Sequence, residues 1–437
     1  MKYSFSFLFV CLLSFIIVFS CSTEEEESVA PVVQTPQPEP EPEEETQSET
    51  ETQDDASNET LEVDTDGDGV VDSEDAFPLN PVLTEDLWGQ IVDLEPELFF
   101  ANDVSQNAQE QFRRDLNLAI TEWGNFGPLE YWIFGNDINA ALELAEIYCE
   151  RRTSRGELFY YNDLLEENNL TDFMSICLTE MMHPHADLDW NNNISSGGTF
   201  FTEDLNNYTG RLEYFRETSD NLPRSNAVLS GHRQWGFHHL IHSLPFQYDE
   251  NEYYVTKEDN TIIILHEYFH VINSANVFSK IFIQDEVGNT VRPEYGPAVM
   301  SEGSANYISN YTIRKLINEG KYEKSNEWNL SLRDEMRNKM NELKEMQINC
   351  PNFNLSELNY GNICDPYTFG QWGIAYLLNR ANNQNALQEL MFPLINDLGY
   401  YGAFEEAFGI TFETFNQEFL EFLELPIEEQ LEIIPDI

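Results

Sequence analysis

Three residues within a five-residue span, His266, Glu267 and His270, interrupt the apolar run TIIILHEYFHVIN that begins at Thr261. On a helix, side chains four apart share a face, so His266 and His270 stack and can offer two imidazole nitrogens to one ion. Imidazole at this spacing suits Zn2+, which takes tetrahedral ligands. Glu267 projects beside such an ion and can take a proton from an attacking water. Burial strengthens the reading: three unpaired polar groups on an apolar helix would each cost roughly 2–7 kcal/mol, and metal ligation satisfies them.

A catalytic zinc site needs three protein ligands and an open position. Glu302 follows in PAVMSEGSANYISNY, a second helical stretch. Gly303 and Ala305 are small enough to let two helices approach and bring Glu302 to the same metal. Asn306, four residues on, shares its face and can accept a ring N–H from a ligand histidine. H-E-x-x-H followed by E-G-S-A-N resembles the gluzincin clan of zinc peptidases, although Val299-Met300-Ser301 stand where that clan often carries a Trp.

PYTFGQWGIAYLLNR, with Tyr367 three residues before Gly370, resembles the gluzincin segment that opens a helix of the C-terminal subdomain. In aminopeptidase-like members that tyrosine stabilises the oxyanion, a role the resemblance carries to Tyr367 beside the plainer reading of a core tyrosine. AFEEAFGITFETFNQEFLEFL resembles the closing helices of peptidase MA-like members, in which a Gly separates two amphipathic helices. The similarity runs from about Asp259 to Leu425. It implies Zn2+ held by His266, His270 and Glu302, Glu267 as general base, and a protein or peptide substrate. The aminopeptidase sequence G-x-M-E-N is absent, so an endopeptidase is expected.

A second acidic constellation precedes these. In DTDGDGVVDSED, Asp64, Asp66, Asp68, Asp72 and Asp75 fall at positions 1, 3, 5, 9 and 12 of a calcium loop, with Gly69 at position 6 to allow the sharp turn. Position 12 is Asp where an EF-hand carries Glu, and no helical patterns flank the loop. With AFPLNP following, the stretch resembles a single thrombospondin type 3 calcium repeat. A structural Ca2+ there is expected to stiffen the junction between tether and folded domain.

The elements that must carry the motif helix are mixed. AQEQFRRDLNLAITEWGNF places Phe112, Leu116, Ala119, Ile120 and Trp123 on one helical face. PLEYWIFG reads as a strand, NDINAALELAEIYCERR as a helix capped by Asp137, and GRLEYF and WGFHHLIHSLPFQY as strands. The motif helix is expected from Thr261 to about Ala275, capped by Asp259 or Asn260. In the last of those strands His238 and His242 face one way and His239 the other. No carboxylate accompanies them or His232 at ligand spacing, so they are expected to line the cleft beside the motif helix. His183 and His185 read as loop polarity. The fold class is α+β: a mixed-sheet N-terminal subdomain, a mainly helical C-terminal subdomain, and the zinc site between them.

Around this core the chain carries export features. Lys2, an apolar run from Phe5 to Phe19 and Ser20-Cys21 resemble a bacterial lipoprotein signal, which implies lipidation at Cys21 and anchorage to the outer membrane. The acidic run after Cys21 resembles the surface-export tag of such lipoproteins. Residues 22–60 are Glu, Pro, Thr, Ser and Gln with almost no large apolar side chain, a composition that cannot offset its ordering entropy. The net charge is −57, and from Arg113 onward 51 acids still oppose 21 basic residues, which excludes nucleic acid as a partner. Cys149, Cys177, Cys350 and Cys364 form an even set in an oxidising compartment. Three pairings are open, and Cys149–Cys177 with Cys350–Cys364 closes the shortest loops.

The expected organisation is therefore a signal at 1–21, an acidic linker at 22–60, a calcium-binding segment at 61–82 and a metallopeptidase domain at 87–437, divided at 258/259. The rivals are a peptidase-like binding or adhesion lipoprotein without turnover, and a calcium-dependent surface protein in which the motif is only core. The intact Glu267 favours the enzyme, since a non-catalytic descendant has no need of a base there.

Overall fold

The structure is a computed structural model that describes residues 63–135, 137–156, 177, 226–229, 233–243, 256–278, 283–284, 290–291, 296–326, 328–351, 353–358 and 364–437. Cys21 with its signal, the 22–60 linker, His183, His185, His232 and the stretch GRLEYF lie outside the described residues.

A four-stranded sheet has the order β1-β2-β4-β3, built from β1 (Glu97–Phe100), β2 (Leu129–Phe134), β3 (Asn226–Leu229) and β4 (His238–Ser243). β1, β2 and β4 run parallel, and β3 closes one edge antiparallel to β4. All six residues of β2, LEYWIF, are buried. A parallel strand covered on both faces is mostly apolar, and its one charge, Glu130, is paired with Arg151 and Arg155. The covering helices are α1 (Gln106–Trp123) and α2 (Ile138–Ser154), each started by the side chain its sequence offers. Ser105 accepts from the Ala108 N–H, and Asp137 accepts from the N–H groups of Asn139 and Ala140.

β4 corrects one expectation. His238 and His242 do face opposite to His239, but all three are buried in the core and line no cleft. His238 stacks on Trp88, His242 meets Phe112 and Tyr131, and His239 packs against Tyr148 and Trp235. A strand with helices on both sides has no solvent face for a titratable side chain, so burial pushes the His238 and His239 rings down to about 3 and His242 to about 4.

The motif helix α3 (Lys257–Ala275) begins a full turn earlier than expected. Its cap is Thr256, in a reciprocal capping box with Asp259, so Asp259 sits inside the first turn. Beyond a short pairing of Ile283–Gln284 with Thr290–Val291, the described chain is helical: α4 (Ala298–Asn318), α5 (Leu332–Gln347), α6 (Pro366–Ala381), α7 (Ile395–Phe408) and α8 (Phe412–Leu423). One buried apolar cluster runs from the sheet through α3 to α8. None of the described helices is long and apolar enough to cross a membrane.

α4 and α6 cross at two glycines. A Cβ on Gly303 would stand 2.2 Å from the Gly370 carbonyl carbon, and one on Gly370 would stand 2.1 Å from the Val299 carbonyl oxygen. Gly303 therefore opens room for α6 rather than for α3. The two disulfides are Cys149–Cys177 and Cys350–Cys364, the pairing of shortest loops.

Candidate metal centre

α3 is immobilised by Ile264, Leu265, Tyr268, Phe269, Val271 and Ile272, all buried. Tyr268 adds a polar tether: its hydroxyl donates to the Gly124 carbonyl and accepts from the Phe126 N–H, which fixes α3 to the end of α1. Against this dry surround, the side chains of His266, Glu267 and His270 remain 12–14 % exposed. They face an opening that water can reach, unlike the histidines of β4.

Glu302, on the second turn of α4, meets the pair. His266 Nε2 lies 3.1 Å from His270 Nε2, and Glu302 Oε2 lies 3.3 Å from the first and 3.4 Å from the second. Three ligands placed roughly 2.0–2.1 Å from a tetrahedral zinc stand about 3.3–3.4 Å apart. The three atoms thus already outline one face of a zinc tetrahedron, and the donor set of two imidazoles and a carboxylate fits that ion. Glu267 Oε1 stands 3.9 Å from His266 Nε2, beside the triangle and outside it.

The electrostatics follow from this crowding. Burial alone would lower the His270 imidazolium, but the Glu302 carboxylate outweighs it and raises the ring to about 9. Burial alone would raise Glu302, but His270 and His266 outweigh it and hold the carboxylate well below its ordinary range. Glu267 is raised by burial, with Glu302 adding to the effect. A carboxyl of raised affinity for protons is what a general base needs.

Sequence reasoning missed Ser301. Its Oγ lies 3.3 Å from His270 Nδ1, so with the proton on Nδ1 the hydroxyl accepts it and Nε2 is free as a ligand. Asn306, expected to serve a histidine, lies one turn after Glu302 on α4, and its backbone carbonyl accepts from Ser309 Oγ and Asn310 Nδ2. Tyr367 is the second residue of α6, 41 % exposed, one turn before the Gly370 crossing.

The 64–75 loop forms a second cluster, with ligand atoms of Asp64, Asp66 and Asp68 within 4.8 Å of one another. Asp64 accepts from the N–H groups of Gly67 and Gly69, Asp66 from that of Asp68, and Asp68 from that of Val70. Both glycines have positive φ, 81° and 100°, which favours glycine there. One oxygen each of Asp66, Asp68 and Asp75 is buried without a hydrogen-bond partner. Buried carboxylate oxygens left open in this way fit a hard cation that takes several oxygen ligands. Asp72, at position 9, also braces the loop: one of its oxygens accepts from the Thr65 N–H and the other from the Thr65 Oγ1–H.

No family model matches this chain, and no curated protein and no solved structure is found to match it.

Proposed function

We propose that the protein is a zinc-dependent peptidase of gluzincin type, acting on protein or peptide substrates as an endopeptidase. The observation that carries this reading is the near-equilateral triangle of His266 Nε2, His270 Nε2 and Glu302 Oε2, with sides of 3.1, 3.3 and 3.4 Å. A zinc ion bound there supplies Lewis acidity, polarising a scissile carbonyl and making water acidic near neutral pH.

The chain's own residues do the rest. Glu267 takes the proton of the attacking water and returns it to the leaving amine nitrogen. Ser301 holds the His270 ring by its Nδ1, and Tyr367 is the chain's candidate donor to the oxyanion. The sheet-bearing part before α3 and the helical part after it form the two walls of the cleft. The 64–75 loop binds a structural Ca2+, and Cys21 carries the lipid that anchors the chain to the outer membrane.

The test is hydrolysis of a mixed peptide library by the zinc-loaded protein and by Glu267→Gln, with zinc content measured in both. Cleavage by the wild type, abolished in a variant that keeps its zinc, supports the reading. Zinc without cleavage in either protein would make the chain a peptidase-like binder.

A further inference from the structure

The segment after the acidic loop does not behave as a linker. Asp75, the loop's last acid, is buried; one of its oxygens accepts from the Phe77 N–H while the other is buried without a hydrogen-bond partner, and its charge acts on Asp66 of the acidic cluster. Phe77 then packs with Leu83 and Phe237 in a small buried cluster at the start of β4. The chain continues as a strap. Asn80 Nδ2 donates to the Trp235 carbonyl at 3.5 Å, Asp86 pairs with Arg233 at 2.6 Å, and buried Trp88 donates to the Val277 carbonyl at 3.1 Å.

Trp88 also stacks on His238 of β4, with ring centroids 3.8 Å apart. Gly89, at φ 77°, closes the strap, since a Cβ there would stand 2.7 Å from the Ala275 carbonyl oxygen. Ala275 is the last residue of α3, the helix that carries His266 and His270. Through Asp75 and Phe77, one continuous run of contacts therefore joins the acidic loop to the end of that helix.

We propose that a divalent calcium-type cation in the 64–75 loop works as a clamp, latching residues 75–90 onto the start of β4 and the C-terminal end of α3, so that occupancy of the loop sets the stability of the whole fold. This rests on the loop being a cation site and is independent of peptidase activity. A bare acidic loop repels itself, and the repulsion bears on the stretch that must place Asp75 and Phe77. Neutralised by the cation, the loop holds Asp75 where Phe77 enters its pocket. A loop that bound the cation without this latch would bind it equally in the folded and unfolded chain, and binding would then not change stability.

The experiment titrates the whole chain with CaCl2, reading binding by calorimetry and thermal unfolding by tryptophan fluorescence, for the wild type, Asp66→Asn and Phe77→Ala. Each protein is melted without Ca2+ and at a hundredfold excess over its own Kd. The wild type is expected to bind Ca2+ and to gain about 3–6 °C in midpoint, the consequence of a roughly hundredfold shift in the folding equilibrium. Asp66→Asn should lose both the binding and the gain. Phe77→Ala, which keeps every carboxylate, should still bind but gain less than half as much. Calcium binding without a shift in the wild type, or an equal shift in Phe77→Ala, would overturn the clamp. Absence of any binding would overturn the cation site and the clamp together.

Discussion

Gly303→Ala puts the crossing of α4 and α6 to a quantitative test. The added Cβ would stand 2.2 Å from the Gly370 carbonyl carbon and 2.4 Å from its Cα, whereas non-bonded carbons rest roughly 3.5–4.0 Å apart. The shortfall exceeds 1 Å or so and falls on backbone, which cannot rotate aside. The two helices must part, and the core around them loses contacts. Overpacking of this kind costs about 1–3 kcal/mol or more, against which alanine recovers at most about 1 kcal/mol of helix propensity. A net loss of about 2 kcal/mol is expected.

Gly373, one turn further along α6, is the control. A Cβ there would meet only the Phe415 ring, at 3.6 Å, an ordinary contact, so Gly373→Ala should gain roughly 0.5–1 kcal/mol. Guanidinium denaturation of the two variants should move the midpoint in opposite directions. Because Glu302 precedes Gly303 directly, Gly303→Ala should also weaken zinc binding about tenfold. A Gly303→Ala protein as stable as Gly373→Ala, with zinc affinity intact, would show that the crossing does not position Glu302.

Three further outcomes are expected. Because Glu302 holds the His270 ring protonated up to about pH 9 in the metal-free protein, zinc must displace a proton at pH 7, and chelator competition should show affinity rising about tenfold per pH unit from pH 6 to 8; a flat profile would contradict the pairing. Asp115 is buried, and that burial raises its carboxyl from 3.8 to about 6. Its ionisation therefore destabilises the fold increasingly from about pH 4 to 6 and fully above, and Asp115→Asn should raise stability by about 2–3 kcal/mol at pH 8 but not at pH 4. Burial keeps His238 neutral down to about pH 3 while the unfolded chain protonates it below about 6.5, so stability falls as pH drops through that value. His238→Phe, which preserves a ring against Trp88, should flatten this acid limb by about 1.4 kcal/mol per pH unit, read from denaturation midpoints between pH 4 and 6.

The elements with strong local patterns were legible in the sequence. The helical face of Phe112, Leu116 and Ala119, the aromatic strand β2 and the Asp137 cap each appear where their residues demand. His266 and His270 stack because a spacing of four on one helix is a rigid constraint, whereas the approach of Glu302 from α4 was implied by the resemblance and not by spacing. The start of α3 was read a turn late, since Lys257-Glu258-Asp259-Asn260 resembles loop in composition and becomes helix through the Thr256–Asp259 box. Ser301 was invisible because a short hydroxyl before a glutamate has no signature until α4 turns it toward His270. The histidines of β4 looked like cleft residues because sequence shows that a side chain can titrate and not what covers it. The strap was missed for a related reason: Phe77, Leu83 and Trp88 are isolated apolar residues in a polar stretch, and their pockets are made by residues 150 or more positions away.

Equilibrium zinc titration of the metal-free protein and of Glu302→Ala bears most directly on the central claim. The account predicts one zinc per chain in the wild type, affinity at least about a hundredfold weaker in Glu302→Ala, and a variant that remains folded by circular dichroism. Full affinity in Glu302→Ala, or no zinc bound by the wild type, would contradict the site formed by His266, His270 and Glu302.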